Sequence, residues 1–208
     1  MISKQHFVSL TLIAISTMVL PLSAEARVWK MTQDMHSTTE ASFVSKASIV
    51  KFAGRTSKVE GTGEINVDKP SRNPKGDIVV DLLSLDTGIA LRNDHMRGMI
   101  EAVKYPTASF KLKQLNAPKL VAQQPISGTA MGDFTLHGMT HAITVPVTLT
   151  FLPEQDKNYR PGDWVAVSTE FKVKLSDYGI ALPQPILGIK IADELNITLD
   201  GMAKAVEQ

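Results

Sequence analysis

The sequence predicts an all-β, antiparallel domain of about eight strands with one short helix. Two observations carry this, and a third bounds how the fold is held together. Apolar and polar residues alternate with a period of two through most of the chain, the signature of strands with one buried face. A single stretch, near residues 91–103, changes to helical spacing. The chain has no Cys, so its fold rests on an apolar core without disulfide support. About eight antiparallel strands suggest a closed barrel, because closure removes exposed edges and an eight-stranded barrel can hold one small ligand. The same periodicity fits a two-sheet sandwich and does not choose between the two.

Residues 1–26 read as a cleavable secretory signal peptide. Lys4 precedes an apolar run from Phe7 to Leu20, and Ala24-Glu25-Ala26 supplies the small residues of a cleavage site before Arg27. The run falls short of the ~20 apolar residues of a spanning helix and ends at Pro21. An exported, periplasmic chain without a permanent membrane span is therefore expected. Residues 27–208 have the size of one domain. The formal net charge of +1 carries no basic surplus, and no charge block or aromatic-basic interleaving argues for nucleic acid.

Early strands are expected through Ser42 to Val50 and Val59 to Val67, followed by a loop from Lys69-Pro70 through Lys75-Gly76. Ile78, Val80 and Leu82 alternate with Asp81; Ala108, Phe110 and Leu112 alternate with Lys111 and Lys113. In Ile143 to Phe151 every odd position is apolar, with Pro146 pointing to an edge or a bulge. The period recurs from Val165 to Leu175 and in Leu195, Ile197 and Leu199. Arg160-Pro161-Gly162-Asp163 suits a type II turn.

The helical stretch lies within Leu85 to Phe110. It begins after Asn93 or Asp94, either of which can cap a helix, and breaks before Pro106. Met96, Ile100 and Val103 form one stripe, so the segment can lie as a lid on an apolar surface. Gly98 weakens it.

Phe134 and Leu136 facing inward with Ile143 would place Phe134 opposite Ile143 and Leu136 opposite His141, with Gly138-Met139 as a type II′ turn. His137 and His141 would then lie on opposite faces, which argues against joint metal ligation. His141 would stand at the core rim or touch a ligand.

Catalytic signatures are missing: there is no phosphate loop, Gly-x-Ser-x-Gly elbow, His-Glu-x-x-His or thiol nucleophile. Asp34, His36 and Ser37 have the residue types of a triad, yet triads are assembled from separate segments. Met35-His36 and His95-Met96 have the softness to hold copper. A copper- or haem-linked redox accessory protein is thus the alternative reading, and Cys-free sequence removes covalent haem attachment.

Thr87-Gly88 before Arg92-Asn93-Asp94-His95-Met96-Arg97, then Lys104-Tyr105-Pro106 and Phe110, together with Thr135-Leu-His-Gly-Met-Thr140, resemble the YceI-like family of periplasmic lipid-binding proteins. The chain departs at His141, where that family usually has Lys or Arg. The resemblance implies an extended lipocalin-like barrel, a non-catalytic carrier without a cofactor of its own, and a long isoprenoid or quinone-like amphiphile as ligand. A homodimer is left open.

On that reading the lining would come from Val80, Leu82, Phe110, Phe134, Val145, Val147, Val167, Phe171 and Ile197, with Met96 on the lid. Arg92 and His95, with the Tyr105 hydroxyl, would make a polar rim for the head group. Pairing of Arg92 or Arg97 with Asp86 or Glu101, and capping by Asp94, would account for much of the same motif without any ligand. Trp29 is expected to plug one barrel end.

Overall fold

The computed structural model describes residues 25–206 except 32, 34–36, 47–50 and 183–191. The segment 1–26 read as a signal peptide falls almost wholly outside these, as do Asp34, Met35 and His36. Along the described chain run β1 (Arg27–Met31), β2 (Glu40–Lys46), β3 (Lys51–Thr56), β4 (Val59–Ile65), β5 (Lys75–Asp81), helix α1 (Ala90–Met99), β6 (Thr107–Asn116), β7 (Pro125–Leu136), β8 (Met139–Leu152), β9 (Trp164–Lys174), a 3₁₀ turn (Leu175–Tyr178) and β10 (Glu194–Ala205).

The strands close on themselves. In the order β1-β4-β5-β6-β7-β8-β9-β10 each is antiparallel to the next, and β10 returns to β1 with Trp29 opposite Ala205. That closure settles the choice between sandwich and barrel: the molecule is an eight-stranded antiparallel barrel. Beyond the reach of β1, β10 pairs instead with β2, and β3 pairs with β2, so this hairpin extends the wall toward the end that carries α1.

Strand parity sorts the side chains. Apolar residues of β7, β8, β9 and β10 that alternate in sequence face inward, because one face of every barrel strand is enclosed. In β6 a bulge between Leu112 and Gln114 restores the inward setting three residues on, so both Leu112 and Leu115 reach the interior despite their odd spacing. Pro146 lies in a continuous strand at a place where β8 lacks a second partner: the β8–β9 ladder stops at Thr148 opposite Ser168. β5 begins at Lys75 rather than after Gly76, because both residues are already in register with β4.

The β7–β8 hairpin differs from expectation by one turn position. Phe134 pairs with His141 and Leu136 with Met139, leaving His137-Gly138 as the loop. Both loop residues have positive φ, 52° and 73°, which makes it a type I′ turn, the form whose twist matches the strands.

Two apolar clusters fill the barrel ends. The upper one lies under α1 and includes Phe43, Leu82, Leu85, Met96, Ile100, Leu136, Leu175 and Tyr178. The lower one surrounds Trp29 with Ile65, Leu115, Leu120, Leu149 and Val165. Trp29 is buried, donates from Nε1 to the Ile65 carbonyl at 3.2 Å, and meets Phe151 edge-on.

Candidate functional site

Between these clusters lies an internal cavity of about 190 Å³. Its lining is almost wholly apolar, drawn from all eight barrel strands. Val80, Phe110, Phe134, Val145, Val147, Val167, Phe171 and Ile197 line it. Val80, Phe110, Val167, Phe171 and Ile197 face inward yet are half-buried, because the space in front of them is reachable by a water-sized molecule. Phe134 and Phe171 pack edge-to-face with centroids 5.6 Å apart at the upper end. Lys75 borders the cavity, and its ammonium lies 2.7 Å from the Glu64 carboxylate.

The remaining predicted residues stand elsewhere. Leu82, just past the end of β5, and Met96 are buried in the packed cluster beneath the helix and do not border the cavity. His95 is exposed, so it and Met96 point in different directions from adjacent positions. Arg92 places its guanidinium 5.2 Å from the centre of the Phe52 ring, pinning α1 to the β2–β3 hairpin by a cation–π contact. Tyr105 packs edge-on against His137 at 4.6 Å, across the turn glycine Gly138. Arg92 and Tyr105 thus tie α1 and its neighbours together, and neither they nor His95 border the cavity.

Asn93 is the centre of that arrangement. The helix starts at Ala90 with no side-chain cap, so Asn93 and Asp94 lie inside it rather than before it. Asn93, nearly buried, accepts from the Thr87 amide and hydroxyl at 2.8 and 2.7 Å and donates to Asp86 at 2.7 Å. Asp86 also accepts from the Gly88 amide at 2.9 Å. The Asn93 and Gly88 donors, helped by Arg55 and Arg97 nearby, hold the Asp86 carboxyl below the usual carboxylate range. Gly88 is required by its φ of 77°. Asp94 is exposed and reaches Arg97 at 3.7 Å.

The far end of α1 finishes in a Schellman arrangement: the Ala102 amide bonds the Arg97 carbonyl and the Glu101 amide bonds that of Gly98. Glu101 holds the left-handed position usually given to Gly, with φ of 47°. The chain turns there, so Val103 leaves the expected stripe and is 89% exposed, while Met96 and Ile100 remain buried.

His137 and His141 flank one segment instead of a metal. His137 faces the Tyr178 carbonyl and Glu101; His141 donates from Nε2 to the Asp177 carbonyl at 3.0 Å and packs edge-on against the Tyr178 ring. Burial pushes the Tyr178 hydroxyl up from its ordinary pKa, with Asp177 adding to the effect. Among the described residues no three His, Asp or Glu converge as a metal site.

Residues outside the predicted lining also shape the cavity, chiefly Trp29, Ile78, Thr169 and the glycines 61, 63 and 76. The signal was present: Gly61-Thr62-Gly63 puts glycine at successive inward positions of a strand, where it leaves space rather than filling it.

A family model described as the YceI-like domain matches residues 29–203. A UPF0312 protein of Vibrio parahaemolyticus is 27% identical over 190 residues, 90% of this chain and 93% of the relative. A UPF0312 protein of Vibrio campbellii is 27% identical over 146 residues, 69% of this chain and 71% of the relative. Among solved structures, Burkholderia cenocepacia BcnA superposes with a TM-score of 0.64 at 23% identity, covering 80% of this chain and 96% of that one. A polyisoprenoid binding domain from Saccharophagus degradans gives 0.61 at 18% identity, covering 88% and 100%. The two solved structures share the barrel fold.

Proposed function

The chain belongs to the YceI-like family, and from that premise we propose that it is a non-catalytic periplasmic carrier that holds the tail of a long isoprenoid-type amphiphile inside its barrel. The observation that carries this reading is the apolar cavity itself. An apolar cavity of this kind has no partners for water and gains by taking up apolar atoms; a cavity of about 150 Å³ is already enough for a benzene-sized guest. Each buried CH₂ contributes about 0.8 kcal/mol before ordering costs. Roughly ten such groups reach micromolar affinity.

Val80, Phe110, Phe134, Val145, Val147, Val167, Phe171 and Ile197 would make the tail contacts. The similarity to a structure described as a polyisoprenoid binding domain supports the choice of ligand class. A tail longer than the cavity would extend upward by displacing Met96 and Ile100 from the cluster under α1, the role expected of a lid. Export would follow from cleavage before Arg27, the residue at which β1 begins.

Mass spectrometry of organic extracts of the native protein tests the assignment. A bound isoprenoid lipid or quinone, lost from a variant with a filled cavity, is the expected result. Extracts free of any amphiphile, with no uptake of an apolar probe by the purified protein, would reject it.

A further inference from the structure

One patch of the cavity wall, where β4 pairs with β5, presents two facing positions without a side chain. β4 and β5 pair with Val59 opposite Val80, Gly61 opposite Ile78 and Gly63 opposite Gly76. All of these positions face inward, since Val59 is buried in the barrel and parity repeats every second residue. The row continues sideways, with Trp29 opposite Gly63 on β1 and Leu112 opposite Gly76 on β6. Around this level of the barrel an indole and a leucine therefore frame two adjacent positions where bare peptide backbone meets the cavity.

Packing within the protein does not account for these two glycines equally with their neighbour. A Cβ placed on Gly61 would meet the Met31 sulfur at 2.6 Å, so Gly61 is needed by Met31. A Cβ on Gly63 would meet only the Lys75 carbonyl oxygen, at 3.3 Å, and a Cβ on Gly76 would meet Leu112 at 3.3 Å and the Thr62 carbonyl oxygen at 3.7 Å. Neither has a positive φ. Glycine inside a strand loses stability through its backbone freedom, and an approach by a second body is one physical reason for such a position.

We propose that Gly63 and Gly76 form the specificity-determining floor of the site, a slot between Trp29 and Leu112 that takes the flat, sp² part of the ligand: a conjugated or cyclic unsaturated segment. This rests on the carrier reading above and refines its ligand class. Paired peptide planes without side chains offer a flat surface, on which a planar group makes contact over its whole face. A saturated chain, free to rotate about each bond, gains less from flatness and fits equally along the valine and phenylalanine walls.

The test uses the mature chain and two probes, a fluorescent conjugated tetraene fatty acid and stearic acid as its saturated competitor. Wild type should bind the tetraene more tightly than stearate. Gly63→Leu should weaken the tetraene by about tenfold or more, as expected for filling an apolar pocket, and bring the two affinities together. Gly63→Ala, whose single methyl would stand 3.3 Å from the Lys75 carbonyl oxygen, should give a smaller loss in the same direction, with its fold checked by the thermal midpoint; it keeps the test informative where the larger residue unfolds the barrel. Retention of the wild-type preference by a folded Gly63→Ala, Gly63→Leu or Gly76→Ala would overturn the slot while leaving the carrier intact. Binding of neither probe by wild type would overturn the slot, and together with amphiphile-free extracts of the native protein it would overturn the carrier as well.

Discussion

Nε2 of His137 lies 2.8 Å from Oε2 of Glu101, joining the end of α1 to the turn between β7 and β8. Nδ1 of the same ring donates to the Tyr178 carbonyl at 2.9 Å, so three segments meet on one imidazole. Both His137 and Glu101 hold a left-handed backbone that costs a non-glycine residue roughly 1–2 kcal/mol. Lys104, at 3.9 Å from the same Glu101 oxygen, adds a solvent-exposed charge.

Replacing that ring should loosen the upper end without unfolding the barrel. His137→Asn keeps a residue that tolerates positive φ while removing both bonds. A loss of about 1–2 kcal/mol in urea unfolding is expected, with faster amide exchange in α1 and in Leu175–Tyr178. Unchanged exchange in both segments would show that the contact does not hold them.

Asp86 gives the anchor of α1 an acid limit. Its folded pKa is lowered from 3.8, so its contribution is fully present above that value and is lost as pH falls from about 3.8 through the lowered folded value. Amide exchange at Thr87, Gly88 and Asn93 should rise across that window in wild type. In Asp86→Ala the same amides should be less protected at pH 6, with the acid-dependent step removed.

Lid motion and affinity should separate in Gly98→Ala. A Cβ at Gly98 meets nothing within 4 Å, so the change strengthens α1 by up to about 1 kcal/mol without a clash. Stopped-flow uptake and release of a fluorescent polyene should both slow, with the equilibrium constant little changed. Rates equal to wild type would leave α1 as a fixed cap.

The seam between β8 and β9 offers the contrasting route. Above Thr148 the strands no longer pair, and the Thr169 hydroxyl donating to the Pro146 carbonyl at 2.6 Å bridges them. Val145 and Phe171 line the cavity from either side of this seam. Thr169→Val removes the bridge at nearly constant volume, and faster uptake in this variant than in wild type would place entry here.

Phe171→Asp tests the interior directly. An unpaired carboxylate facing apolar walls is unfavourable by several kcal/mol unless it takes up a proton. Probe affinity should therefore fall steeply at neutral pH and recover in part under acid. Wild-type affinity at neutral pH would show that Phe171 makes no ligand contact.

Local alternation is enough to mark which strand faces are enclosed. Strict alternation in Ile143 to Phe151 and Val165 to Leu175 marks an enclosed face whatever the partner strands are, because side chains of a strand alternate by geometry alone. The stretch from Thr87 to Phe110 likewise marked the helix and its family. Tertiary structure decided the rest, since it depends on pairing between distant segments. Closure required β10 to meet β1, which no local pattern records. Asn93 became an internal anchor rather than a cap because Asp86 and Thr87 fold back onto it. Val103 left the helical stripe because the chain turns at Glu101. Leu82 and Val80 share a parity, yet only Val80 borders the cavity, because Leu82 lies past the end of β5 beneath α1. Parity fixes which way a side chain points; how much space lies in front of it is set by residues from other strands, including glycines that contribute none.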